Sequence, residues 1–239
     1  MFVRLAPLAL AVLLLAPAAP AGARPTPVPT PATLSAGEAK AVAKISTTLR
    51  ARYPHPAAAE KAGYVRYTNE DDTGAISYAD RAWNSTTQER PSQLWYDVNG
   101  RLLGADYSVL VADHPTPPAL FGITPSRFFE ENAHIHYVVR NPDGSLTYSR
   151  AVGAKKYAAA GLDPQHPTAA GLVKVGAVDS PERVATVFLF PHIWDVTIWV
   201  LPNPDGPFAD KNPNVKPSQS PRPRLGFAQA ARRTPTTRR

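Results

Sequence analysis

Two histidines two residues apart, His134 and His136 in "HIHYVVR", are the first residues whose type and spacing could do chemistry. In a strand they leave the same face, about 6.6 Å apart, close enough for two imidazoles to share one divalent metal ion. A third ligand would come from elsewhere, and His192 and Asp195 just before the last predicted strand are placed to supply it. Asp106 in "LLGADYSVLV" is a further candidate, because a carboxylate inside an apolar strand is costly unless paired or ligated. His134, His136, His192 and Asp106 together define a prospective metal or acid/base centre. The competing reading places the His-x-His pair on the solvated face of a half-buried sheet, with Asp106 pointing outward.

Other chemistry is thinly represented. Glu130 and Glu131 fall in "TPSRFFEEN", which reads as a short helix begun by Thr124 and Pro125. Adjacent helical residues point about 100° apart, so the two glutamates cannot face one substrate and are expected in solvent. Trp83, Trp95, Trp194 and Trp199 suit either a core or stacking on a ligand. The chain has no G-x-S-x-G, H-E-x-x-H, phosphate loop or G-x-G-x-x-G, and no cysteine, which excludes thiol catalysis and thiolate metal sites.

The elements that must position these residues are readable from caps, periods and turns. Ser35 and Glu38 form an S-x-x-E capping box, and Ala39, Val42, Ala43, Ile45, Leu49 and Tyr53 follow at helical spacing until Pro54. A short helix over 57–62 comes next. "SQLWYDVNGRLLGADYSVLV" predicts a hairpin with a two-residue type I′ turn at Asn99-Gly100. Asn-Pro-Asp-Gly occurs twice, at 141–144 and 203–206. In each, proline fixes φ for the first turn position and glycine accepts the left-handed one. The first copy predicts a second hairpin and the second ends the last strand. "VATVFLF" and "DVTIWVL" read as strands, and "LDPQHPTAAGLVKVGAV" as loop with one helical turn. The expected class is α+β: an N-terminal helix, then a mainly antiparallel sheet of hairpins, open or partly closed into a barrel.

Residues 1–23 read as a Sec-type signal peptide, with a basic Arg4, an apolar run and small residues at Ala21 and Ala23 for cleavage. Nothing later is long and apolar enough to span a membrane. The composition looks bacterial, and the expected mature product is secreted. Residues 24–33 form a Pro-rich linker, 34–216 one globular domain, and 217–239 a basic, disordered tail. The net charge of +7 is a property of that tail: Arg4 and six tail arginines removed, 19 basic residues face 19 acidic ones. The tail suits weak attraction to anionic cell-wall polymers or phospholipid rather than specific nucleic-acid binding.

Four blocks carry a resemblance: "AGYV" with Gly63 and Tyr64, "RPSQLWYDVNGRLLGADY", "PPALFG", and "IWVLPNPDGPFADKNP". In this order over residues 57–216, they resemble an uncharacterised family of exported bacterial proteins with a Gly-Tyr / PxxLxY…GxLxGxEY / LFG / WxW…NPxGxF…NP pattern. The resemblance implies no nameable activity. It places a Glu, a His and a further His where this chain has Asp106, Thr197 and Ser77. If those residues form a metal site in the family, this chain has lost or rebuilt it, with His134, His136 and His192 as replacements. Two main readings follow: a secreted binding or surface-associated domain, or a metal-dependent or acid/base enzyme centred on the His-x-His strand. A third, an oligomeric structural protein, requires tryptophans exposed on a flat sheet face.

Overall fold

The first helix, α1 (Ala36–Arg52), starts where its capping box requires. The Glu38 amide donates to Ser35 Oγ at 3.1 Å, and the Ser35 amide donates to Glu38 Oε2 at 2.9 Å. Glu38 is buried, and Arg127 Nε and Thr124 Oγ1 each donate to its Oε1 at 2.9 Å. The Arg127 hydrogen bond, aided by the Ser35 amide and Thr124, holds the Glu38 carboxyl down at about 2 despite burial. Ala41, Ile45 and Leu49 recur every four residues and give α1 its buried stripe. A short helix α2 (Pro56–Lys61) follows. This computed structural model describes residues 33–218, all within one compact unit. The expected signal peptide, most of the linker and all but the first two residues of the tail lie outside the described residues.

Nine strands follow: β1 (Val65–Arg66), β2 (Ile76–Ala79), β3 (Gln93–Tyr96), β4 (Leu102–Leu110), β5 (Phe129–Glu131), β6 (His134–Arg140), β7 (Leu146–Gly153), β8 (Val184–Phe190) and β9 (Ile193–Trp199). Two short helices, α3 (Ala154–Ala159) and α4 (Ala169–Lys174), lie between β7 and β8. The strands form two antiparallel sheets, one of six in the order β1-β2-β3-β4-β9-β5 and one of three in the order β7-β6-β8. The class is α+β, and among the described residues neither sheet closes into a barrel.

Because side chains alternate along a strand, the six-stranded sheet has two unlike faces. One carries Leu94, Tyr96, Ala105, Tyr107, Val196 and Ile198 and packs with Ile45, Leu49 and Tyr53 into the main core. The three-stranded sheet turns Ile135, Tyr137, Val139 and Val152 toward Tyr157 of α3 and Leu172 of α4. Tyr67, Ala79, Trp83, Phe188, Phe190 and Ile193 form an apolar seam joining the two sheets.

The turns correct two expectations. Asn99-Gly100 is not a two-residue type I′ turn: the loop spans Asp97–Arg101, and only Gly100 adopts a positive φ, +78°. Asp97 Oδ1 accepts the amides of Asn99 and Arg101, both at 2.9 Å, which favours a wider turn and lifts Val98 into solvent. The Asn141–Gly144 loop shares the backbone bonds of the first loop, Gly144 N donating to Asn141 O and Asn141 N to Ser145 O as Gly100 N does to Asp97 O and Asp97 N to Arg101 O, so it closes the β6–β7 hairpin as expected. Gly206 N likewise donates to Asn203 O after β9 ends. The second correction concerns "TPSRFFEEN". Only Pro125–Arg127 forms a 3₁₀ turn, after which the chain extends as β5 along the edge of β9. Sheet pairing there overrides local helix propensity.

A polar cleft between two sheets

The second face of the six-stranded sheet is polar and lies opposite the three-stranded one. Asp106 pairs across the ladder with Thr197 and Gln93, and Ser108 with Asp195, so alternation brings these side chains to one face. Asp106 is only 5% exposed and Asp195 2%. Trp95 Nε1 donates to Asp106 Oδ2 at 3.1 Å and Thr197 Oγ1 to Oδ1 at 3.0 Å. Ser108 Oγ donates to Asp195 Oδ1 at 2.9 Å, and Gln93 Nε2 reaches Oδ2 at 3.5 Å. The Tyr67 hydroxyl donates to Gln93 Oε1. Burial, reinforced by the charges of Asp106 and Asp195, raises the Tyr67 pKa well above the usual phenol range, so this donor keeps its proton.

Gly104 makes room for that floor. A Cβ there would stand 2.7 Å from the Ile198 carbonyl and 3.0 Å from the Trp95 ring. Gly104 lies between Trp95 and Trp199 in the ladder, and the two rings meet across it with centroids 5.6 Å apart.

From the opposite sheet, His134 and His136 project beside Phe190 and Phe188, their cross-strand partners. Their Nε2 atoms are 3.0 Å apart. His134 Nδ1 lies 2.8 Å from the Asn132 carbonyl and must be the protonated nitrogen there, so His136 Nε2–H donates to His134 Nε2. Burial lowers the pKa of both rings, and His134 adds to the effect on His136. His136 Nδ1 makes no hydrogen bond of ordinary geometry among the described residues, although the nearby Arg150 backbone favours its protonated form slightly.

Floor and roof enclose a cleft of about 830 Å³. Tyr67–Asn69 ties the two sheets together at its side: Ser149 N donates to Tyr67 O and Asn69 N to Ser149 Oγ, with Ser149 in a left-handed backbone conformation. Six carboxylates line the cleft, those of Glu70, Asp71, Asp106, Glu131, Asp195 and Asp210, against the guanidiniums of Arg66 and Arg150. Arg66 is occupied by Tyr148, whose ring centroid is 4.4 Å away, and by the Thr68 carbonyl. A chain body with balanced charge thus concentrates negative charge where field lines are focused.

No family profile, curated protein or solved structure matches this chain.

The cleft collects His134, His136 and Asp106 of the predicted set but not His192. His192 Nε2 contacts Glu130 Oε1 at 2.5 Å on the opposite side of the sheet, next to Trp194. No group of three or more His, Asp or Glu side chains among the described residues is placed to hold a metal ion. Asp195 lies inside β9 rather than ahead of it. Glu130 and Glu131, being in a strand, face opposite ways, and Glu131 belongs to the cleft. Ser77, Asp106 and Thr197, the positions singled out by the resemblance, share the cleft face. Trp95 and Trp199 are buried rather than exposed on a flat face. Sequence reasoning passed over Gln93, Ser108 and Tyr67. Their signal was a period-two run of polar residues inside apolar strands: Gln93 in "SQLWY", Asp106 and Ser108 in "GADYSVL", Asp195 and Thr197 in "WDVTIW".

Proposed function

We propose that this chain is an exported binding protein whose cleft takes an organic cation, a ligand presenting guanidinium or ammonium groups. The observation that carries the reading is the cleft lining, six carboxylates against two guanidiniums in a body of balanced charge. Two of the carboxylates, Asp106 and Asp195, are held on the floor by hydrogen bonds from Trp95, Thr197, Ser108 and Gln93, so they are pre-oriented for a ligand. Trp95, Trp199, Tyr67 and Phe129 supply aromatic faces beside them, and an organic cation gains from both charge pairing and ring contact. The His134–His136 pair, neutral at neutral pH, adds no positive charge to the cleft.

The reading is tested by calorimetric titration of the full chain with tetra-arginine, its neutral tetra-citrulline counterpart and tetra-glutamate. Tetra-arginine is expected to bind at least tenfold tighter than tetra-citrulline, about 1.4 kcal/mol, and to weaken with added salt. Equal affinity for the charged and neutral peptides would sink the proposal.

A further inference from the structure

The chain carries its own candidate ligand. Residues 207–218 run as a strap against the six-stranded sheet: Trp199 Nε1 donates to Ala209 O at 2.7 Å, and Asn212 Nδ2 to Pro202 O at 3.1 Å. Val215 is buried with Ala75, Trp95, Leu103 and Trp199, and Trp95 and Trp199 also line the cleft. The strap reaches the cleft wall at Ser218, whose amide donates to Glu70 Oε1 at 2.7 Å and whose hydroxyl donates to Glu70 Oε2. Beyond this point lie 21 residues with six arginines and no acid.

We infer that this arginine-rich segment occupies the acidic cleft in cis, as a built-in competitor of the ligand. The inference rests on the cation-binding reading above and adds the identity of one occupant. Three observations converge on it. The segment starts at the cleft wall, so no connecting loop has to be closed. Its first arginines stand in Pro221-Arg222-Pro223-Arg224, a pattern in which each proline disfavours helix for the residue before it. Extended chain rises about 3.1 Å per residue, so the four and six residues from Ser218 to Arg222 and Arg224 could span roughly 12 and 19 Å, a reach that covers a cleft of this size. Finally, the charges are complementary, and a short tether supplies a local concentration of order millimolar, so modest intrinsic affinity is enough for occupancy. An external ligand must then displace the tail, which makes the tail a threshold on binding.

The test compares the full chain with a full chain carrying R222Q, R224Q, R232Q, R233Q, R238Q and R239Q. Both receive a fluorescently labelled peptide with the sequence of residues 219–239, and anisotropy reads its affinity. The inference predicts at least tenfold tighter binding to the substituted chain, because its cleft has lost the internal competitor. Equal or weaker binding to the substituted chain overturns the cis occupancy and leaves the cation cleft standing. Absence of binding to both chains overturns the cation-binding reading and this inference with it. The substitutions lie outside the packed strap, so folding is not at stake, and circular dichroism of the two chains checks it.

Discussion

The two faces of the six-stranded sheet are built from the same strands and do opposite things. Toward α1, Leu94, Ala105, Tyr107, Val196 and Ile198 meet Ile45 and Leu49 in a core with almost no exposed surface. Toward the cleft, the alternate residues Gln93, Asp106, Ser108, Asp195 and Thr197 are just as shielded, yet each must find hydrogen-bond partners. Burial stabilises the first face through the hydrophobic effect, whereas on the second it is tolerated only because the polar groups satisfy one another. Period-two geometry lets nine-residue β4 serve both tasks without compromise between them. Stability is therefore concentrated on one face, and the recognition proposed above belongs to the other.

Breaking the apolar face should give the largest effect on stability. Ile45→Ala removes a fully buried side chain from α1. It is expected to cost about 3 kcal/mol in denaturant unfolding while leaving tetra-arginine affinity within twofold. A large loss of affinity at unchanged stability would show that the two faces are not separable.

The polar face should announce itself through pH. His134 and His136 have folded-state pKa values below their ordinary 6.5, so the unfolded chain binds protons more readily in that range. Stability should be fully present above pH 6.5 and fall as pH drops from 6.5, by up to about 1.4 kcal/mol per pH unit for each histidine. His136→Asn is expected to flatten that slope in urea titrations at stepped pH. Tetra-arginine affinity should hold through the start of that interval and weaken only at lower pH, where the imidazoles of the folded chain take up protons and offset the cleft's carboxylates. An unchanged slope in the variant would mean that His136 contributes none of it and is not the buried, neutral ring described here.

A turn residue belonging to neither face supplies the smallest effect. Gln165 is exposed in the turn between α3 and α4 and lies outside the cleft lining. Gln165→Ser should change stability by less than about 0.5 kcal/mol and leave the affinity untouched.

Much of this architecture was legible in local chemistry. The Ser35/Glu38 box, the Asn141–Gly144 and Asn203–Gly206 turns, and the strands at 184–190 and 193–199 are set by residues within a few positions of one another. Where long-range pairing decides, local reading failed. Phe129–Glu131 is a strand because the edge of β9 is there to receive it. The turn of the first hairpin was missed for a local reason: the Asp97 side chain, rather than Asn99-Gly100, governs it. The site was half legible for the same reason. His134 and His136 are joined by simple alternation, but His192 was offered as a further ligand only because it precedes the last predicted strand, and its contact with Glu130 puts it on the other face. Gln93, Asp106 and Asp195 meet only once β3, β4 and β9 are laid side by side, an order that no single segment encodes.

The measurement that bears most directly on this division of labour is the affinity for tetra-arginine of the arginine-free-tail chain beside the same chain carrying Asp195→Asn. Asparagine keeps the shape of the side chain, and Ser108 and Gln93 can reorient to suit its amide, so unfolding free energy should shift by no more than about 1–2 kcal/mol. The account predicts at least a tenfold loss of affinity, about 1.4 kcal/mol, with the fold intact by circular dichroism. Undiminished tetra-arginine binding by the Asp195→Asn chain would contradict it, because the cation would then be held by something other than the floor of this cleft.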